Sequence, residues 1–116
     1  MICAGFRAYQ ACARHTSNTY TSNDKIQNAL LGLPGEVGEL CDHYKKHKFH
    51  GHAFDRDHMI EEAGDVLWYL SELADGLDIS LEDIAIRNIE KLARRYPDGF
   101  DPERSMHREG QNEDHH

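Results

Sequence analysis

From Asp57 to Leu77 the apolar residues Ile60, Ala63, Val66, Leu67, Leu70, Leu73, Ala74 and Leu77 recur with a spacing of three and four residues. That spacing lines one face of an α-helix, and a stripe of this kind has to be covered by another element. No stretch of the sequence alternates apolar and polar residues with the period of two that a half-buried strand needs. The predicted fold class is therefore all-α, four-helix bundle-like and built from antiparallel helical hairpins.

Three more helices follow from spacing and punctuation. The first, over about residues 3 to 15, carries Phe6, Tyr9 and Ala13 on one side and ends at the turn formers "TSNTYTSND". The second, about Asp24 to Lys48, has Leu30, Leu33, Val37, Leu40, Cys41 and Tyr44 in a stripe, with Pro34 predicting a kink or a restart. The fourth opens with Ser80 as N-cap, has Glu82 and Asp83 in its first turn, and runs to Arg95 before "YPDGF" stops it.

A chain of 116 residues with 39% hydrophobic and 29% charged residues fits one globular domain. That domain is expected over residues 1 to 102, with residues 103 to 116 a polar, disordered tail. No apolar run reaches the ~20 residues of a membrane helix, and "MICAGFRAYQ" does not read as a secretory signal, so a cytoplasmic location is expected. Cys3, Cys12 and Cys41 lack paired or CxxC spacing and are expected to be free thiols. The formal net charge of -8 argues against a binder of nucleic-acid backbone.

The second helix nevertheless carries Glu36 and Glu39, and the third carries Glu62 and Asp65. At about 100° per residue, Glu36 and Glu39 fall about 90° and 150° from the centre of their apolar stripe. Glu62 and Asp65 fall about 85° and 145° from theirs, on the same-handed flank. Such flanks meet only if the helices run antiparallel, and the short connection "FHGHAFDR" favours that arrangement. Glu61, about 175° from the stripe, is read as solvent-facing. Two facing acid pairs give an oxygen-only site suited to Mg²⁺, with Gly35, Gly38 and Gly64 thinning the neighbouring side chains.

Other polar residues are less sharply placed. Asn88 lies about 40° from the centre of the fourth helix's apolar stripe and needs a partner there. Lys91 and Arg95 share its flank, where they would meet phosphate oxygens, neutralise the acids or simply be solvated. Lys46 is read either as a phosphate ligand or as a counter-charge. Phe6, Tyr9, Trp68 and Tyr69 read as core or subunit interface before base-stacking residues, and His43, His47, His50 and His52 as a solvated loop before a zinc site.

The ordered blocks "LLGLPGEVGEL", "EEAGDVLWYL" and "NIEKLARRYPDGF", with Glu36-x-x-Glu39 and Glu62-x-x-Asp65 separated by 22 residues, resemble the MazG-like nucleoside triphosphate pyrophosphohydrolases. The resemblance covers about residues 6 to 100. It implies an α-helical homodimer or homotetramer that hydrolyses a nucleoside triphosphate to monophosphate and pyrophosphate with Mg²⁺, Mn²⁺ being a substitute. By matched position it makes Glu36, Glu39, Glu62 and Asp65 metal ligands and puts Asn88 and Lys91 at the substrate. Glu39, followed by Glu36, is the expected general base, with Lys91, Arg95 and Tyr96 orienting phosphates. The alternatives are a phosphoribosyl-ATP pyrophosphohydrolase and a non-catalytic, metal-binding helical oligomerisation module.

Overall fold

The computed structural model describes residues 5–100 and 102–106. Its helices are α1 (Gly5–Arg14), α2 (Ser22–His50), α3 (Arg56–Gly76), α4 (Leu81–Arg95) and a short α5 (Pro102–Met106). No strand occurs among the described residues, and the all-α expectation holds. The chain forms two compact units, one ending at Leu81 and the other beginning at Glu82. Part of the expected tail is helical, as α5, and the remainder of it lies outside the described residues.

In the first unit α2 and α3 form the antiparallel hairpin expected from the short connection. Thr21 caps α2 by accepting the Asp24 N–H at 3.1 Å, and Gly51 ends it in the left-handed conformation at φ 75°. Residues 51 to 55 make the turn, and Asp55 caps α3 by accepting the His58 N–H at 3.1 Å. Pro34 does not restart the helix: α2 runs continuously through it, with only the bond that its missing N–H would have donated being lost.

Small residues fix how closely the two helices approach. A side chain on Gly32 would occupy the space of the Tyr69 ring, and one on Gly76 would stand 2.7 Å from Ile26 Cγ1 and 3.0 Å from the Ser22 carbonyl oxygen. Ile26 thus faces Gly76, Gly32 faces Tyr69, and further along His43 faces His58. Each step up α2 is matched, to within a residue, by a step back along α3. Tyr69 is therefore a packing residue, its ring set edge-on to Trp68.

The fully enclosed apolar residues of this unit are Ala13, Ala29, Ala74 and Leu81. The large residues of the anticipated stripes are mostly not enclosed: Leu30, Val37, Tyr44, Ile60 and Leu70 are exposed, as is Leu31 at 81%. The face that α3 turns inward carries Ser71, Glu72, Ala74 and Gly76 instead. Of the stripe residues Ala74 is enclosed, Leu33, Leu40, Val66, Leu67 and Leu73 are half-buried, and the others named above face outward.

Polar anchors tie the amino-terminal part to α3. Buried Gln10 donates to Asp75 Oδ1 (2.8 Å) and the Ile79 carbonyl (3.1 Å), and its Oε1 accepts the Leu81 N–H at 2.7 Å. The last contact satisfies the first amide of α4. Arg14 pairs with Asp75 at 2.7 Å, and Trp68 Nε1 donates to Thr16 Oγ1 at 2.7 Å. Glu72, only 3% exposed, accepts from Ser17 (2.7 Å), Thr19 (3.1 Å) and Asn28 (2.8 Å), with Lys25 Nζ at 3.5 Å. Burial pushes the Glu72 carboxyl upward, but hydrogen bonds from Ser17, Asn28 and Thr19 and the Lys25 charge outweigh it, so its proton affinity is held below the usual value.

Two outcomes follow. Gly76→Ala forces Ile26 and the start of α2 away and should cost about 1–3 kcal/mol in urea unfolding. Glu72 contributes stability that is present above its unfolded pKa and lost as pH falls through its lower folded value. Glu72→Gln should therefore destabilise the protein at neutral pH by about 1–3 kcal/mol, and a pH series of thermal midpoints should show the gap to wild type closing in acid.

Candidate metal centre

The hairpin register brings the acid pairs of α2 and α3 to one level. Glu36, Glu62 and Asp65 each place one carboxylate oxygen within 4.8 Å of the others. Glu36 is half-buried, Glu62 is buried and Asp65 is exposed, whereas Glu61 points to solvent. Glu39 belongs to the same edge through Glu62. The neighbouring Glu62 carboxylate, first by hydrogen-bond proximity and then by charge, raises the Glu39 carboxyl, with burial and Asp65 adding to the rise and His58 opposing it.

The buried oxygens show what the cluster accommodates. Glu36 Oε2 and Glu62 Oε2 are both shielded from solvent and have no hydrogen-bond donor. An ionised carboxylate accepts and does not donate, so two such oxygens on facing helices do not satisfy each other. A hard divalent cation with oxygen ligands fits this donor set, and its remaining positions suit water or phosphate. Gly35, Gly38 and Gly64, beside the acids, have open space where a side chain would begin.

The remaining site residues anticipated from the sequence are distributed differently. Lys46 pairs with Asp42 one helical turn away at 3.0 Å, both groups being about half-exposed. The Lys46 ammonium, by hydrogen bond and charge, holds the Asp42 carboxyl below its ordinary value. Asn88, Lys91, Arg95 and Tyr96 belong to the second unit. Asn88 is exposed on α4, as are Ile86, Ile89 and Leu92. Lys91 is half-buried, Arg95 is buried at 5% exposure, and the Tyr96 ring lies 5.5 Å from that of Phe100. Arg95 is thus not a solvated helix-end cation.

The histidines build the hairpin turn. His43 Nε2 accepts the Asp55 N–H at 3.2 Å, His47 Nδ1 lies 2.9 Å from the His52 carbonyl oxygen, and both rings pack near Phe54. His58, passed over in the sequence reading, has its Nε2 3.5 Å from Glu62 Oε1. Its position four residues before Glu62 was the available signal. Cys12 and Cys41 are free thiols, and Cys3 lies outside the described residues. No helix among the described residues is long and apolar enough to cross a membrane.

Two antiparallel helices thus bring Glu36, Glu62 and Asp65 together as an acidic cluster that could hold a metal ion. The chain belongs to the MazG family: the MazG nucleotide pyrophosphohydrolase domain matches residues 24–100, a span that takes in α4 as well as the hairpin. It is also similar to the Gene 37 protein of Mycobacterium phage L5, with 37% identity over 78 residues, covering 64% of this chain and 68% of that protein. No solved structure matches.

The raised Glu39 value has a consequence for the metal-free protein. A carboxyl that holds its proton more tightly when folded contributes stability below its unfolded pKa, and that contribution is lost as pH rises through the folded value. Glu39→Gln removes this loss. At neutral pH without divalent ions the variant should melt above wild type, and the advantage should vanish as the pH is lowered through the carboxylate range, as differential scanning fluorimetry would show.

Proposed function

We propose that the protein is a divalent-cation-dependent nucleoside triphosphate pyrophosphohydrolase that converts a ribo- or deoxyribonucleoside triphosphate to its monophosphate and pyrophosphate. The observation that carries this reading is the pair of buried, donorless oxygens of Glu36 and Glu62 beside Asp65. Family membership supplies the reaction class. Glu36, Glu39, Glu62 and Asp65 would hold Mg²⁺, for which Mn²⁺ substitutes. Such an ion, when bound, offsets phosphate charge and lowers the pKa of coordinated water.

The residues of the chain have separable tasks. Glu62, enclosed and fixed by the hairpin, orients the ligand set. Glu39, exposed at the edge of the cluster, accepts a proton from the attacking water; Glu36 is the second candidate for this role. Water oxygen adds to a phosphorus of the α–β linkage, the bridging P–O bond breaks, and pyrophosphate leaves. Asn88 and Lys91 are assigned to the substrate by family resemblance, Arg95 and Tyr96 are proposed to help orient its phosphates, and Lys46, which pairs with Asp42, is proposed as a further phosphate ligand. The outward apolar residues of the hairpin, including Leu30, Val37 and Ile60, are assigned to contact with a second copy of the chain, in a homodimer or homotetramer.

The test is a panel of ribo- and deoxyribonucleoside triphosphates, and phosphoribosyl-ATP, incubated with Mg²⁺ or with EDTA and resolved by anion-exchange chromatography. The expected products are monophosphate and pyrophosphate, formed only with metal. A Glu39→Ala/Asp65→Ala double variant should lose at least 100-fold in turnover, on the order expected for removing metal ligands and base together. Diphosphate with orthophosphate as products would overturn the bond assignment. Divalent-ion binding with no turnover on any substrate would instead identify a non-catalytic module.

A further inference from the structure

We propose that His58 is a positioning residue that holds the Glu62 carboxylate in its ligating orientation from the hairpin turn, an inference that rests on the divalent-cation reading above. The two oxygens of Glu62 have different surroundings. Oε1 lies 3.5 Å from His58 Nε2, while Oε2 is buried and has no hydrogen-bond donor. A carboxylate with an imidazole nitrogen beside one oxygen and no donor at the other presents its two oxygens unequally.

His58 can perform this role because it is itself fixed. It lies one helical turn before Glu62 on α3, within side-chain reach along the same face. Its backbone N–H is capped by Asp55 Oδ1 at 3.1 Å, and its ring lies 5.0 Å from that of His43 on α2. The same Asp55 donates its own N–H to His43 Nε2 at 3.2 Å. One residue of the turn therefore ties down the His43 ring and the His58 backbone, on opposite sides of the hairpin. Since His43 accepts at Nε2, that nitrogen carries no proton, and His43 contributes a ring surface to the pair.

The role needs a donor at His58 Nε2, which both the Nε2–H tautomer and the imidazolium carry. His58 is not a member of the set whose ligating atoms converge within 4.8 Å, which among the described residues comprises Glu36, Glu62 and Asp65. Its action on a bound ion passes through Glu62. Partners of this kind, one bond removed from the ion, typically change metal affinity by about 10- to 100-fold.

Isothermal titration of the metal-free full chain with Mn²⁺ tests this directly, using His58→Ala, His58→Gln, Glu62→Gln and, as a turn control, His47→Ala. Alanine favours the helix, and the His58 side chain is 42% exposed, so His58→Ala is expected to stay folded and to melt near wild type. It should bind Mn²⁺ about 10- to 100-fold more weakly. His58→Gln, which restores an N–H donor one turn from Glu62, should recover most of the loss, and His47→Ala should bind as wild type does. Wild-type affinity in His58→Ala, with Glu62→Gln weakened, would overturn the positioning role and leave the cation site standing. Tighter binding in His58→Ala, or equal losses in His58→Ala and His58→Gln, would overturn it too. Absence of Mn²⁺ binding in wild type, or Glu62→Gln binding as wild type does, would overturn the cation reading and this proposal with it.

Discussion

The close antiparallel contact of α2 with α3 is the constraint on which the site depends. It is set by the absence of side chains: Gly32 gives space to the Tyr69 ring, and Gly76 gives space to Ile26 and the start of α2. Locked at these two points, the helices keep one register up to the turn, where His43 meets His58. Within that register Glu36 and Glu39 come level with Glu62 and Asp65. A shift of a single residue would rotate one acid pair by about 100° relative to the other. The chemistry is thus specified partly by glycines that do not touch it.

Much of this was legible in the sequence because it depends on helical geometry alone. The angular offsets of the two acid pairs, the shortness of the connection and the choice of Glu62 over Glu61 all follow from about 100° per residue and the rule that near neighbours pack antiparallel. The approximate spans of α2, α3 and α4 follow from the same spacing, with Ser80 marking the start of α4, whereas the caps Thr21 and Asp55 emerge only from the structure.

What the sequence hid depends on which helical face the chain turns inward. The apolar stripes of α2 and α3 suggested a core, yet Leu30, Val37 and Ile60 face outward, while Ala29, Ala74 and Gly76 are enclosed. Periodicity finds a stripe but does not say whether it is covered by the same chain. Glu72 was unreadable for a related reason: its four partners come from residues 17 to 28, and no local pattern announces a buried carboxylate satisfied at that distance. The continuity of α2 through Pro34 shows that surrounding helical contacts outweigh the loss of one backbone bond.

The alanine-sized core of the first unit has a thermodynamic consequence. Heat capacity on unfolding rises with the apolar surface newly exposed to water. In a single copy, a hairpin that leaves Leu30, Leu31, Val37 and Ile60 in solvent exposes comparatively little more when it opens. The stability curve of that single copy is correspondingly flat, shaped by ionic and hydrogen-bonded anchors such as Glu72 and Gln10, and covering those residues with a second copy would steepen it.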